Sequence, residues 1–327
     1  MANTKISALS SATTPLSGSE IVPINQSGVT DSVSVANLTA GRAVSAASLS
    51  LTSTPLAVGS GGTGIGTGII GFKNRLINAG FIINQRGYSS GTSLSSGTYG
   101  HDRWKGGGSG GTYTYTQGNA GVPIAITITA GTIQQVIEGS NLPEGGTYTL
   151  SWTGTATARI NSGSYTSSPI TVTGQTAGSN MTIEFGTGTV QYPQLETGSY
   201  ASNYDYRAYG QEILLCQRYC YQLGGSANYE AFGIAYVQSS TSGNLVVNLP
   251  VKMRSSPTVS YVNLSNLALS YYNGSNYSLT SLSVNQTSTQ VANLSYAVSS
   301  SPFLLGQIGL VVANGTTNVS LLLTAEL

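Results

Sequence analysis

The segment Gly100-His101-Asp102-Arg103-Trp104 gathers the only histidine of the chain, an aspartate, an arginine and one of two tryptophans. An imidazole beside a carboxylate is the ordinary means of moving a proton. Glycoside cleavage is the enzyme chemistry to weigh here, because the chain is neutral and rich in tyrosine. It needs two carboxylates about 5–10 Å apart, and only 11 of 327 residues are acidic. After residue 211 the acids are Glu212, Glu230 and Glu326, one at the start of an expected helix and one penultimate. Elsewhere Asp102, Glu138, Glu144, Glu184, Glu196 and Asp205 are members from which a pair would be drawn. This scarcity argues for a protein that is not an enzyme, with a polysaccharide depolymerase as the less favoured alternative. Metal chemistry fares no better, since one histidine and two cysteines four residues apart give too few ligands for zinc.

Two glycine motifs are set aside on context. Gly66, Gly68 and Gly71 match GxGxxG, yet no apolar strand precedes them and no helix follows to close a βαβ unit. Gly107, Ser109 and Gly111 match GxSxG, but the nucleophile elbow needs a strand-to-helix corner in an α/β sheet. Here the motif sits in a glycine tract. The thiols of Cys216 and Cys220, in "EILLCQRYC", share an expected helix face and read as packed free cysteines.

The elements that would hold such residues follow from composition. Only 7% of the chain is charged, 42 residues are glycine and 20 are tyrosine, with a net charge of +1. Thr, Val, Ile and Tyr suit a pleated surface, and Gly and Asn supply the positive φ of tight turns. Scattered cations give no counterion-displacing patch, so no nucleic acid is expected as a partner. No stretch is long and apolar enough to insert in a membrane, and the opening residues lack the apolar core of a secretory signal.

Along the chain, residues 1–70 contain no aromatic side chain, and "EIVPINQSGVTDSVSVANL" reads as two strands about a Ser-Gly turn. From about 71 to 210 strands alternate. "PIAITITA" sets Ile124, Ile126 and Ile128 on one face, "TYTLSWTG" sets Tyr148, Leu150 and Trp152, and "NMTIEFG" sets Met181, Ile183 and Phe185. "GQEILLCQRYCYQ" is the one convincing helix, with Glu212 in its first turn, where the helix dipole favours it. Strands resume from "AFGIAYVQ" to "TNVSLLLTAEL", and "YYNGSN" is a hairpin turn. Tyrosines concentrate in "GSYASNYDYRAYGQEILLCQRYCYQ" and again at Tyr271, Tyr272 and Tyr277. Lying beside a turn, the second group is the better expectation for exposure, and with Asn273 it forms the expected binding contact. The fold class expected is mainly β: two antiparallel β-sandwiches joined by a short helix and preceded by an extended segment.

Several stretches together resemble phage tail fibres and related receptor-binding proteins. "KISALSSATTPLSGSEIVPINQSGVTDSVSVANLTAGR" is similar to the virion-attachment tip of podovirus-like fibres. "NRLINAGFIINQRG" followed by "YGHDRW" is similar to the start of a jelly-roll module of phage tail proteins. "VQYPQLETGSYASNYDYRAYGQEILLCQRYC" resembles that module's close, and "LTAEL" the ending of such fibres. The resemblance makes Asp102-Arg103-Trp104 a strand-entry signature, with Trp104 in the core and Asp102 and Arg103 bonded nearby. Related sugar-binding jelly rolls hold a structural calcium through acids near this strand. Ala79-Gly80-Phe81 stands where the pattern has an acid, so no cofactor is expected.

The resemblance also implies an organisation. Residues 1–70 would be a virion-attachment segment and linker, meeting the tail or an adaptor protein through residues 1–40. Residues 71–210 would form a jelly-roll shaft and 211–222 a trimer-junction helix, joined through Ile213, Leu214, Cys216 and Tyr219. Residues 223–327 would be the receptor-binding head. A homotrimeric fibre made in the host cytoplasm, carried on the virion tail and gripping a surface glycan such as lipopolysaccharide, or an outer-membrane protein, is the function expected. A purely structural virion fibre is the alternative.

Overall fold

A computed structural model of the chain describes residues 21–34, 72–270, 275–299 and 303–327. The chain divides into two compact units, Met1–Thr54 and Pro55–Leu327. In the first, β1 (Ile21–Gln26) and β2 (Val29–Ser34) pair antiparallel, with Gln26 opposite Val29. Ser27 and Gly28 make the turn with φ of 56° and 85°, the mirror-image geometry whose twist suits a two-residue hairpin. The Ser-Gly turn expected from sequence is therefore present. The rest of the expected attachment segment, and the glycine motif Gly66, Gly68 and Gly71 at its end, lie outside the described residues.

The second unit carries two large hydrophobic cores. The first belongs to β3 (Ser93–Leu94), β4 (Lys105–Tyr115), β5 (Ile126–Ile137), β6 (Gly146–Thr153), β7 (Ala158–Ile160), β8 (Ile170–Gln175), β9 (Met181–Phe185) and β10 (Gly188–Thr197). Their path runs β3-β4-β5-β10-β6-β8, with β9 and β7 branching off β5. The branch point has a simple cause. β5 is 12 residues long, so Ile126–Ile128 pair with β10 while Ile133–Ile137 pair with β9. Side chains of both branches meet in one core around Trp104, where Ile126, Ile128, Tyr148, Leu150, Ile183 and Phe185 are all buried. The alternating faces read from sequence are the ones turned inward.

Then come α1 (Tyr209–Gln217), β11 (Cys220–Gly224), β12 (Ala231–Ser239), β13 (Ser242–Asn248), β14 (Thr258–Val262), β15 (Leu267–Ser270), β16 (Asn276–Thr287), β17 (Val291–Val298), β18 (Ile308–Ala313) and β19 (Ser320–Thr324). β11, β19 and β14 make a three-stranded sheet, and β12-β13-β17-β16-β15-β18 close into a barrel. The sequence led us to expect a sandwich in this region. Closure comes from β18, which pairs with both β12 and β15 and so leaves no open edge in the ring.

The helix is shorter than its periodicity suggests. It ends at Gln217, and Cys220–Gly224 pair instead with Ser320–Thr324. Helical spacing over residues 218–222 loses to a strand partner about a hundred residues away, with which β11 shares the alternating ladder bonds of an antiparallel pair.

Candidate functional site

His101, Asp102, Arg103 and Trp104 are at most 1% exposed, so no substrate reaches them. Trp104 lies in the first core and donates its indole N–H to the Asn78 carbonyl at 2.9 Å. Asp102 accepts the Gln85 backbone N–H at 2.9 Å and also the Gln85 side-chain amide. Burial pushes the Asp102 carboxyl up, while Arg86, 3.7 Å away, and Gln85 pull it back. Arg103 donates to the Val136 carbonyl at 2.6 Å, pairs with Glu326, and lies 3.7 Å over the Tyr219 ring. The cluster is a structural one.

It also fastens the two β modules together. Gln85 donates to the Cys220 carbonyl at 2.7 Å and accepts from the Gln222 amide at 3.1 Å, standing in for a strand beside β11. Arg86 and Arg103 both pair with Glu326, and the Leu327 carbonyl accepts from Tyr99 at 2.7 Å and Lys105 at 2.6 Å. The residues expected to join copies through the helix fall unevenly. Cys216 and Tyr219 are fully buried within their own chain, beside Ile77 and Ile83, and Ile213 is partly buried against them. Leu214 alone of the four is exposed.

Of the expected receptor contact, Tyr271, Tyr272 and Asn273 lie outside the described residues. Tyr277 is half-buried against the barrel core, with its ring edge-on to Phe303 at 6.2 Å.

A different group of tyrosines forms a groove in the first module. Between Gln191 and Gln194, β10 carries one residue more than β6, whose Ser151 and Thr153 are the facing partners. The extra residue makes a bulge, a device that re-aims a side chain. Tyr192 sits in it with φ of 54°, which costs a bulky residue on the order of 1–3 kcal/mol. Its ring stands 5.1 Å from that of Tyr204 and 5.9 Å from that of Tyr206, and Tyr204 and Tyr206 meet edge-to-face at 4.8 Å. The adjoining cavity, of about 300 Å³, is lined by Tyr192 and Tyr204 with Trp152, Gln194, Ser202 and Asn203 among its walls.

The floor of the groove is held by buried polar groups. Glu196, 3% exposed, accepts from the Ser202 amide at 2.8 Å, the Ser202 hydroxyl at 2.6 Å and the Gln194 side chain at 2.8 Å. Gln194 in turn accepts the Asp205 amide at 2.7 Å. These bonds pin the segment 198–208 onto β10 and leave hydroxyls and amides at the rim. Burial pushes the Tyr204 phenol well up, so it stays neutral and serves as a hydrogen-bonding group. Sequence reasoning noted the tyrosine run 200–209 but placed the contact in the tail. Nothing in the sequence marks the bulge that brings Tyr192 to it.

Among the described residues the acids of the second unit are committed elsewhere. Glu138 pairs with Arg218, Glu144 with Arg75, Glu184 with Arg159, and Glu212 with Arg207. Glu230 accepts from Ser226, and Asp205 lies 3.4 Å from the Asn74 amide. Among the described residues no group of three His, Cys, Asp or Glu side chains is placed to hold a metal ion. Comparison with protein-family models, curated proteins and solved structures finds no match to this chain.

Proposed function

We propose that this chain is the subunit of a homotrimeric phage fibre that holds a neutral host-surface glycan without cleaving it. The Tyr192–Tyr204–Tyr206 groove is a point of contact. On this reading residues 71–210 are a jelly-roll sandwich, residues 1–40 meet the virion tail or an adaptor, and the fibre acts at the host surface.

The observation that carries the reading is Tyr192, held at positive φ in a bulge beside two further tyrosines. A strained backbone retained beside a cavity is a reason to look for function there. Aromatic faces pack against the C–H faces of a sugar ring, and the hydroxyl and amide rim matches sugar hydroxyls. The Glu196 carboxyl at the groove floor is enclosed by its own donors, and Lys73 donates to the Ser202 hydroxyl at 3.0 Å, so the groove favours uncharged residues of a polysaccharide. Pairing of the acids supports binding over hydrolysis, since a free acid and base are what cleavage requires.

The test is adsorption of the labelled full chain to host cells, alongside Tyr192→Ala and an assay for released reducing ends. Binding by the native chain and a roughly tenfold loss in the variant are expected, the stacking of one ring being worth up to about 1.5 kcal/mol. No labelling of host cells by the native chain would instead favour a structural virion fibre. Release of reducing ends would favour a depolymerase.

A further inference from the structure

The wall of the barrel carries an apolar surface that the described residues leave exposed. Ile234 of β12 stands opposite Val246 of β13 on one side and Leu310 of β18 on the other. In the next row Tyr236 stands opposite Ile308. All five point outward, and Ile234 and Ile308 are 57% and 72% exposed. A groove of about 360 Å³ lined by Tyr221, Leu223 and Phe232 continues the surface toward β11.

The patch has clear limits. Across β13 the next strand presents Asn293 and Ser295 opposite Val246 and Asn244, and across β18 Ser270 faces Leu310. Apolar side chains thus cover three adjacent strands, β13-β12-β18, and stop at polar ones. No charged residue is among them, so nothing here selects a partner by charge. An uncharged apolar surface is complementary to itself, and a second copy is always at hand.

Barrel curvature sets how many copies fit. In a six-stranded barrel adjacent facets turn by about 60° around the circumference. The pairs β13/β12 and β12/β18 are two such facets, with β12 at the ridge between them. A protomer in a closed threefold ring likewise presents two contact walls turned from each other by about 60°. A twofold contact would use one facet and leave the other wet, because two convex walls touch along a line.

We propose that the outer wall β13-β12-β18 is the surface by which three copies of this chain associate, with Ile234 at the axis and Val246 and Leu310 against the two neighbours. This rests on the homotrimer proposed above and moves its contact from the helix to the barrel. The test is the mass in solution, by light scattering, of the full chain and of the double variant Ile234→Lys/Leu310→Lys. Far-UV circular dichroism checks that the variant keeps its strands. The native chain is expected at three times its 33.6 kDa and the folded variant at one. A second readout does not depend on the folding of that variant. Ile234→Cys is expected to give a covalent dimer on oxidation, whereas Ser283→Cys, on β16 across the barrel, is not. A folded double variant that stays trimeric, or cross-linking at 283 and not at 234, overturns the assignment of this wall and leaves the trimer standing. A native chain of 33.6 kDa overturns the trimer itself.

Discussion

The imidazole of His101 gives the sharpest test of how this interior is built. The ring is fully enclosed, and the Tyr113 hydroxyl lies 2.9 Å from both its Nδ1 and the His101 amide nitrogen. Among the described residues Nε2 has no partner, and the flanking rings of Tyr115, 4.6 Å away, and Phe81 offer none. A proton added here would place a charge in an apolar cage, so burial lowers the pKa from 6.5 to about 4. The unfolded chain takes up the proton more readily between those values. The contribution to stability is therefore complete above pH 6.5 and is lost as the pH falls through 4. Linkage makes the loss about 2 kcal/mol by pH 5, before most carboxylates titrate. Urea unfolding at pH 7.5 and pH 5, for the native chain and His101→Phe, isolates the effect. The native chain should lose about 2 kcal/mol more than the variant over this interval. An equal loss in both would refute the claim that a neutral, enclosed ring is required.

Two further outcomes follow from the same interior. Glu326→Ala leaves Arg103, 1% exposed, without its counter-charge and should cost about 3–5 kcal/mol in urea unfolding at neutral pH; a loss below about 1 kcal/mol contradicts the pairing. Burial pushes the Cys216 and Cys220 thiols well up, so neither should react with a disulfide reagent at pH 8 until denaturant is added. A prompt reaction in the native protein would show that the helix–strand junction opens.

What the sequence made legible was the local part of the fold. Alternation at Ile124, Ile126 and Ile128, or at Met181, Ile183 and Phe185, states which face is inward, because strand side chains repeat every two residues. Ser27-Gly28 states a turn for an equally local reason. The helix boundary failed because the competing partner of Cys220–Gly224 is a strand near residue 322, which no window of neighbouring residues contains. Barrel closure failed likewise, since it depends on β18 choosing β12 and β15 together. At the candidate site, the tyrosine run was visible and the bulge under Tyr192 was not. A single inserted residue leaves no mark in composition or period. The structural reading of Asp102-Arg103-Trp104 was reachable, but the identity of the acid facing Arg103 was not.

That distant acid sets a timetable for synthesis. Arg103 is placed when the first module forms, yet Glu326 is translated 223 residues later. Until the ribosome has delivered it, the nascent module carries Arg103 without its counter-ion and, at first, without the Tyr219 ring that covers it in the finished chain. A fragment ending near residue 210 would inherit that defect permanently, so the early half of the protein reaches its final form only with help from sequence made long afterwards.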